Sequence, residues 1–356
     1  KLFDRYAIPT ITYTSTDECL YDSVLFTNSS SVLTPSVFQS YDWTFGDGTT
    51  SNENNPHHKY SNFGTFTTKL IGTTQFGCKD SLEQQVTIYD VPNAQFSFVN
   101  GCYNQLASFT DQSTITNGTI TDWLWNFGDG LTGYLDDESH LFNTDGDFET
   151  ELVITSNNNC TDTVKHTITR YPLPVVSYTA NSECIYDEVQ FNNTSTINTP
   201  DAIVNWEWSF GPGLNSTNQS PNILFPSAGS NPVKLVAISN HGCKDSIANT
   251  INIYPRPIAN FISSDDCNNI PATFINSATV SQGSITNWNW DLGDGNSSTM
   301  PNLTHSYINP ATYTIELIVT TDNNCKDTLA QNIIRHPIPN ASYSTVNECA
   351  YDALNF

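Results

Sequence analysis

Short stretches in which apolar and polar residues alternate recur along the whole chain. Three clear examples are TFTTKLIGTT (Thr65–Thr74), DFETELVITS (Asp147–Ser156) and TYTIELIVTT (Thr312–Thr321). Alternate residues of a strand point to opposite faces of a sheet, so this period of two predicts half-buried β-strands. Prolines and glycines interrupt the alternation about every ten residues, as expected of turns between short strands.

These stretches belong to a repeat of 82 or 83 residues. Its start is marked by Pro9, Pro92, Pro174, Pro257 and Pro339, which are spaced alternately 83 and 82 residues apart. Every full repeat has a tryptophan followed 35 residues later by a cysteine: Trp43 and Cys78, Trp125 and Cys160, Trp208 and Cys243, Trp290 and Cys325. Another cysteine precedes each tryptophan by 23 or 24 residues: Cys19, Cys102, Cys184 and Cys267. We therefore predict a tail of a preceding repeat at 1–7, repeat 1 at 8–90, repeat 2 at 91–172, repeat 3 at 173–254, repeat 4 at 255–337 and the start of a fifth repeat at 338–356.

Two types of repeat alternate. The odd repeats carry DECLYD, SECIYD and NECAYD around their first cysteine, whereas the even repeats carry NGCYNQ and DDCNNI. The full period is thus about 165 residues, and we expect the chain to be a window of a longer repetitive protein. About seven short strands in each repeat, without helical periodicity, predict an all-β tandem array of immunoglobulin-like β-sandwiches stacked end to end.

A motif around each tryptophan resembles a known family. The segment YDWTFGDGTTSNENNPHHKYSNFGTFTTKLIG (Tyr41–Gly72) is similar to the PKD (polycystic kidney disease) domain signature, and WNFGDG and WDLGDG repeat its core. The resemblance covers all four full repeats and implies a β-sandwich used for spacing and adhesion. Repeat 3 departs from it, with GPG for GDG and PNILFPSAGSNPVKL for the segment that carries histidine and tyrosine.

The aspartates and histidines of the motif are predicted to be structural. Asp47, Asp129 and Asp294 lie between two glycines, where an Asp that bonds its own backbone suits a tight turn, and repeat 3 has Pro212 there. His58, His140 and His305 precede the second cysteine by 20 residues, and repeat 3 has Ile223 at that position. A metal ligand or general base would not be exchanged for proline or isoleucine, and no catalytic motif is found. The protein is therefore predicted not to be an enzyme.

Each motif tryptophan follows another aromatic residue two positions earlier on the same strand face. The pairs are Tyr41/Trp43, Trp123/Trp125, Trp206/Trp208 and Trp288/Trp290. We expect the second tryptophan to fill the sandwich core and the first aromatic to cover its edge. A sugar-stacking platform is the alternative.

Charge excludes several classes of partner. The 356 residues include 12 Lys and Arg against 36 Asp and Glu, which gives a net charge of −24. A protein that binds nucleic acid or an anionic membrane surface needs clustered basic charge, so neither is an expected partner. No membrane insertion of this segment is expected. No cofactor is predicted. Calcium between repeats is the one open alternative, because Glu18 and Asp22 flank Cys19, and Glu183 and Asp187 flank Cys184.

The nine cysteines predict disulfides that join neighbouring repeats. In an immunoglobulin-like fold, the first cysteine of a repeat lies near one end of the sandwich and the second near the other, too far apart to bond. Stacking end to end brings the first cysteine of one repeat to the second cysteine of the next. We predict Cys19–Cys160, Cys102–Cys243 and Cys184–Cys325, with Cys78, Cys267 and Cys349 bonded to repeats outside the chain; bonds within each repeat are the alternative.

A short motif follows each second cysteine: CKDSL, CTDTV, CKDSI and CKDTL. Asp-Ser/Thr-apolar resembles the O-glycosylation signal of bacteria that export proteins through the type IX system. That resemblance makes Ser81, Thr163, Ser246 and Thr328 candidate attachment sites. The alternative is that these residues only begin the last strand.

The expected function is structural. The chain resembles a segment of the giant repetitive cell-surface adhesins of gliding, type IX-secreting bacteria. It would act as an extracellular stalk whose partners are the neighbouring repeats and whose distal end meets a surface or glycan. The alternatives are a carbohydrate-binding accessory region of a secreted polysaccharide hydrolase or protease, and a calcium-stiffened cell-cell adhesion stalk.

Overall fold

The computed structural model describes residues 5–344, and every regular element in that range is a β-strand. The chain divides into two compact units, with the boundary between Leu173 and Pro174. The first unit holds repeats 1 and 2, and the second holds repeats 3 and 4. The prediction of an all-β, immunoglobulin-like tandem array is confirmed.

The strands follow the alternating stretches of the sequence. Repeat 1 contributes β1 to β9: Tyr13–Thr14, Glu18–Cys19, Val24–Leu25, Thr27–Asn28, Phe38–Thr44, Thr50–Ser51, His57–His58, Gly64–Thr74 and Lys79–Tyr89. Repeat 2 contributes β10 to β17: Phe96–Phe98, Gly101–Cys102, Leu106–Asp111, Ile120–Asn126, Thr132–Gly133, Glu138–Leu141, Gly146–Ser156 and Thr161–Tyr171.

The second unit repeats this order. Repeat 3 contributes β18 to β24: Tyr178–Ala180, Glu188–Asn193, Ile203–Ser209, Asn215–Ser216, Asn222–Leu224, Gly229–Ser239 and Lys244–Ile253. Repeat 4 contributes β25 to β32: Phe261–Ser263, Asp266–Cys267, Ala272–Asn276, Ile285–Asp291, Ser297–Ser298, Leu303–His305, Thr312–Thr321 and Lys326–His336.

Repeats 2, 3 and 4 are each a sandwich of a small sheet and a larger one, and in repeat 1 the small side is divided into the pairs β1-β4 and β3-β7. In repeat 2 the small sheet has the order β10-β12-β15 and the large one β11-β17-β16-β13-β14, and repeat 4 has the same arrangement. The short strand that carries the first cysteine runs parallel to the last strand of its repeat, as β2 does beside β9. In repeat 3 this pairing shrinks to one bridge, between Cys184 and Tyr254, so the large sheet has four strands.

The motif tryptophans form the centre of each core, as predicted. Trp43, Trp125, Trp208 and Trp290 are at most 2% exposed. Each indole Nε1 donates to a backbone carbonyl ten residues further along, for example that of Leu135 in repeat 2, at 2.8 Å. A fully buried N–H without an acceptor would cost about 1–3 kcal/mol, and this hydrogen bond avoids that cost.

A buried arginine distinguishes the even repeats from the odd ones. Arg170 is 2% exposed, and its guanidinium donates to the carbonyl oxygens of Cys102 and Gln105, each at 2.6 Å. Arg335 is 1% exposed and donates in the same way to the carbonyls of Cys267 and Ile270. Odd repeats have Ile88 and Ile253 at this position. The alternation seen around the first cysteine therefore coincides with a buried arginine that bonds to the main chain of that loop.

Candidate functional site

Disulfides join the two repeats of each unit. Cys19 of repeat 1 is bonded to Cys160 of repeat 2, and Cys184 of repeat 3 to Cys325 of repeat 4. Both pairs have a Cα–Cα distance of 5.7 Å and a sequence separation of 141 residues. These are two of the three inter-repeat pairings that the repeat register predicts.

The geometry of the large sheet explains why the bond does not form within a repeat. Cys19 pairs with Tyr89 at one end of β9, whereas Cys78 precedes Lys79 at the other end. Ten residue steps of an antiparallel strand span roughly 34 Å. A disulfide needs Cα atoms within about 7 Å of each other.

The remaining cysteines are not part of these two disulfides. Cys78 and Cys267 form no disulfide within residues 5–344, and their predicted partners lie in other repeats. Cys102 and Cys243 belong to different units, and their pairing stays a prediction. Cys349 lies outside the described residues.

Polar clamps accompany the disulfides at both junctions. Between repeats 1 and 2, the buried Asp90 accepts hydrogen bonds from the backbone N–H groups of Thr116 and Asn117, both at 2.9 Å. At the junction of repeats 3 and 4, Arg256 donates to the Ile185 carbonyl (2.9 Å) and to Asp187 Oδ1 (2.6 Å) of repeat 3. It also donates to the Lys326 carbonyl (3.3 Å) of its own repeat. Each junction thus combines a covalent bond with charge-assisted hydrogen bonds.

The contact with Arg256 also bears on calcium. Asp187 is one of the four carboxylates considered for a cation, and a guanidinium occupies one of its oxygens. Glu18 accepts a hydrogen bond from the Thr16 hydroxyl at 2.5 Å. Among residues 5–344, no group of three or more acidic, histidine or cysteine side chains is arranged to hold a metal ion.

The aspartate and histidine of the motif form a pair in repeats 1, 2 and 4. The histidine Nε2 lies 2.6–2.7 Å from the aspartate Oδ2 in His58–Asp47, His140–Asp129 and His305–Asp294. The other aspartate oxygen, Oδ1, accepts the backbone N–H two residues on, as the turn interpretation predicts: from Thr49, Leu131 and Asn296. One carboxylate therefore closes its own turn and also fastens the next loop.

The histidine ring is itself packed on the core. In repeat 2, His140 stacks on Phe127 with the ring centroids 4.1 Å apart and meets Phe142 edge-on at 4.6 Å. The same arrangement holds in repeat 1, where His58 stacks on Phe45. This packing against core aromatic rings fits a structural role for the histidine.

The pair changes the acidity of the aspartate. Burial of Asp47 raises its pKa, but hydrogen bonds from Thr49 and His58 outweigh that effect, so the pKa of the carboxyl lies below its usual value. Asp294 follows the same pattern, since bonds from His305 and Asn296 overcome the effect of burial and lower its pKa. The folded chain therefore favours the ionised form of both carboxyls.

The sequence motif predicts the aspartate and the histidine as two separate structural residues and does not show that they are partners. Repeat 3 contains the signal that would have joined them. It replaces both members at once, with Pro212 for the aspartate and Ile223 for the histidine. Joint loss is expected of two residues that need each other for hydrogen bonding.

The first glycine of the turn is required by its surroundings in the same three repeats. A Cβ on Gly128 would lie 2.6 Å from the carbonyl oxygen of Glu149, and Gly46 and Gly293 have the same contact with the equivalent strand. All three also have positive φ, which favours glycine. Gly211 of repeat 3 has positive φ but no atom within 4 Å of such a Cβ. The GPG turn is thus looser than the GDG turns.

The leading aromatic of each pair is half-buried against the core. Tyr41, Trp123, Trp206 and Trp288 all pack on the core cluster of their repeat. Trp123 Nε1 donates to Asp111 at 2.8 Å. In repeats 3 and 4 the corresponding residues are Asn193 and Asn276, and the indole nitrogens of Trp206 and Trp288 are buried without an acceptor in the described part of the chain. This packing matches the role expected for the first aromatic at the core edge.

The four candidate glycosylation residues are exposed. Ser81, Thr163, Ser246 and Thr328 each occupy the third position of the last strand of their repeat. The preceding aspartate differs between repeat types. Asp80 and Asp245 are exposed, whereas the half-buried Asp162 and Asp327 accept the backbone N–H of Ala94 and Ala259, at 2.8 and 2.7 Å. In even repeats this aspartate therefore anchors the first strand; glycosylation itself stays a prediction.

These features define a class of protein, namely a tandem array of immunoglobulin-like sandwiches cross-linked between neighbours. The PKD domain model matches residues 6–89, 92–170, 172–253 and 254–335, and the chain belongs to the PKD domain family. The resemblance carried by the Gly-Asp-Gly motif is thereby confirmed.

Two bacterial collagenases share a short segment with the chain. Collagenase ColA of Bacillus cereus is 41% identical over 59 residues, which are 17% of this chain and 6% of the collagenase. The microbial collagenase of Vibrio alginolyticus is 34% identical over 59 residues, 17% of this chain and 7% of its own length. The match thus spans less than a tenth of either relative.

Solved PKD domains are also similar to single repeats. The PKD1 domain of the Vibrio cholerae metalloprotease PrtV is 31% identical, covering 23% of this chain and 98% of that domain, with a TM-score of 0.22. The PKD1 domain of Vibrio anguillarum Epp is 25% identical, covering 23% of this chain and 96% of that domain, also with a TM-score of 0.22. Within residues 5–344, no helix is long and apolar enough to cross a membrane.

Proposed function

We propose that the chain is a stalk segment of a long extracellular fibre or adhesin, which spaces and stiffens a distal adhesive tip for surface attachment or gliding. The observation that carries this proposal is the disulfide between neighbouring repeats, Cys19–Cys160 and Cys184–Cys325. A second covalent link beside the peptide linker restricts bending between two sandwiches. Such bonds persist in oxidising surroundings, which supports a place outside the cell.

Three further features support a mechanical role. PKD domains are typically non-catalytic modules. The clamps formed by Asp90 and Arg256 act at the same junctions as the disulfides. A net charge of −24 keeps neighbouring fibres apart and soluble.

The candidate glycans at Ser81, Thr163, Ser246 and Thr328 would extend from exposed strand positions, and intact-mass analysis of the natural protein would detect the added hexose.

Distance measurements across one junction test the stiffening. Spin labels on unnatural amino acids at the exposed loop positions Ser61 and Thr144 report the spacing of repeats 1 and 2. We expect a narrow distance distribution in the oxidised chain and a broader one in the double variant Cys19→Ser/Cys160→Ser. Cys78→Ser, which removes a thiol without a partner in residues 5–344, is the matched control. Equally broad distributions in all three proteins would contradict the proposal.

The full-length open reading frame tests whether the chain is part of a long repetitive fibre. We expect further repeats of both alternating types and a non-repetitive domain at one end, at the cell surface. The calcium-stiffened stalk is distinguished by melting temperature, which a chelator would lower only if a cation held the junctions.

The collagenase matches favour one second candidate, an accessory region of a secreted hydrolase or protease. In that case the array would hold the enzyme on its polymer. Pull-down of the chain on fibrillar collagen and on insoluble glycans separates the two functions. Retention of the chain on one of these polymers, with a catalytic domain adjoining few repeats, would favour the accessory role over the stalk.

A further inference from the structure

The outer side of the last strand of each sandwich is covered at most by the two-residue first-cysteine strand, and the rest of that side needs protection. Unpaired N–H and C=O groups of an edge strand are a template for another strand, and proteins normally cover or cap them. In repeats 1, 2 and 4 a side chain two residues before the first cysteine provides a cap. It accepts the outward N–H of the last strand in the pairs Asp17 with Thr87 (2.7 Å), Asn100 with Thr169 (2.9 Å) and Asp265 with Ile334 (2.8 Å).

Repeat 3 lacks this cap. Ser182 stands at the capping position and Asn252 at the edge position, and no hydrogen bond joins Asn252 N to Ser182 in the described structure. The pairing of the first-cysteine strand is also reduced there to the bridge at Cys184. The edge of β24 is therefore open along the residues that precede Ile253.

The gap between β18 and β24 is crossed by one short side chain. In repeat 1, Gln84 spans the equivalent gap and donates to the carbonyl of Tyr13 at 3.3 Å. In repeat 2, His166 fills it and packs on Phe96 at 4.7 Å. Repeat 3 has the shorter Asn249 at this position, which hydrogen-bonds the Tyr178 side chain. Asn249 is exposed, whereas its three counterparts are half-buried.

A cleft of about 510 Å³ occupies this gap. Its floor contains Phe191 and Ile251, and its walls carry the hydroxyls and amides of Thr179, Ser182, Asn249 and Asn252. None of the side chains that line it is charged. Main-chain groups on one wall and an apolar floor below are the two elements by which a sheet edge takes up an extended peptide.

We propose that repeat 3 binds an extended segment of a partner protein, which adds as a strand along β24 at Thr250 and Asn252. The segment is uncharged and alternates apolar side chains, which enter the cleft above Phe191 and Ile251, with small polar ones. The charge of the site selects this chemistry, since a charged segment would lose water without meeting a counter-ion. A second copy of the chain is disfavoured as the occupant because each carries a net charge of −24.

The test uses the whole chain and a terminally blocked heptapeptide of alternating threonine and valine. Hydrogen exchange should find the Asn252 amide fast in the free protein and the Thr87, Thr169 and Ile334 amides slow. Added peptide should slow the Thr250 and Asn252 amides and leave those of Thr87, Thr169 and Ile334 unchanged, with saturation by about 1 mM.

Two variants restore the protection that repeats 1 and 4 have. Ser182→Asp supplies the cap and Asn249→Gln the longer side chain, and each should weaken peptide binding at least tenfold without lowering the melting temperature. Thr217→Asp, on the opposite edge of repeat 3, adds the same charge and should bind as the unmodified chain does.

Three outcomes would overturn the proposal. These are a slow Asn252 amide in the free protein, unchanged binding by Ser182→Asp, and equal loss in Thr217→Asp. Concentration-dependent dimers that Ser182→Asp dissolves would assign the edge to a second copy and would equally reject a foreign strand.

Discussion

At the scale of single residues, the aspartate of the Gly-Asp-Gly turn connects two loops whose residues lie 11 positions apart. One oxygen closes the turn and the other holds a histidine that packs on the core. Each aspartate and each histidine is recognisable from the sequence as structural, because repeat 3 does without them. Their contact could not be read from spacing, since it depends on how two loops fold toward each other, and only their joint replacement by Pro212 and Ile223 hints at it.

The pair makes stability depend on pH. Because the pKa values of Asp47 and Asp294 are lowered in the folded chain, both carboxylates stabilise it above the unfolded pKa of about 4 and lose that effect as the pH falls through the lowered folded value. Asp47→Asn should lower the free energy of unfolding of repeat 1 by about 1–2 kcal/mol at pH 7. It should also weaken the loss of that stability as the pH falls below about 4. Hydrogen exchange of repeat 1 between pH 3 and 7 measures this (about pH 4 is the critical region).

The control lies in the same molecule. Repeat 3 has neither aspartate nor histidine at these positions, so its own exchange should respond little to Asp47→Asn. If repeat 1 lost the same stability at acid pH with and without the substitution, the role of Asp47 would be contradicted.

The glycine before the aspartate gives a second prediction. Gly128→Ala places a Cβ 2.6 Å from the Glu149 carbonyl at positive φ and should destabilise repeat 2 by about 2–4 kcal/mol. Gly211→Ala shares the positive φ without the clash and should cost about 1–2 kcal/mol. Urea unfolding followed by exchange in each repeat measures both. Equal costs would show that the backbone angle alone, and not the close approach, selects glycine.

The buried indole N–H groups of Trp206 and Trp288, which have no acceptor in the described part of the chain, predict a stabilising substitution. Asn193→Asp should give Trp206 Nε1 the acceptor that Asp111 gives Trp123, and should stabilise repeat 3 by about 1 kcal/mol. Asn276→Asp should do the same for Trp288 in repeat 4. Differential hydrogen exchange reports each gain; a loss in both repeats would mean that the added charge outweighs the bond.

At the scale of elements, alternating sequence predicted the long strands well. The stretches at Thr65–Thr74 and Thr312–Thr321 lie within or on β8 and β31, because a strand with one buried face leaves a period of two. The short parallel strands beside the last strand have no such period, since two residues cannot establish one. The buried Arg170 was also missed, because a charged residue at an inward position resembles an interruption of the pattern until its carbonyl partners are known.

The anchoring aspartates of the last strand give a matched pair of variants. Asp162→Asn weakens the bond to the Ala94 N–H and should destabilise repeat 2 by about 1–2 kcal/mol. Asp80→Asn removes only an exposed contact with the Ser81 N–H and should change repeat 1 by less than about 0.5 kcal/mol. Exchange of the first strand of each repeat is the measurement. A larger effect of Asp80→Asn would reverse the assignment.

At the scale of the whole molecule, the repeat register predicts one more link. Peptide mapping without reductant should yield Cys102 joined to Cys243, with the same separation of 141 residues that the two observed bonds have. Cys78 and Cys267 should stay alkylatable in the isolated chain, which provides the control. Recovery of Cys102 or Cys243 as an alkylated thiol would break the rule that each repeat is bonded to the next.

The contacts between neighbouring repeats limit how such a protein can change its length. Asp90 and Arg256 each lie where an odd repeat is joined to the even repeat that follows it, and each compact unit contains one repeat of each type. Recombination that copies or deletes a single repeat would place two like neighbours side by side, without the junction contacts seen at Asp90 or Arg256. Natural length variants should therefore differ by whole pairs, in increments of about 165 residues.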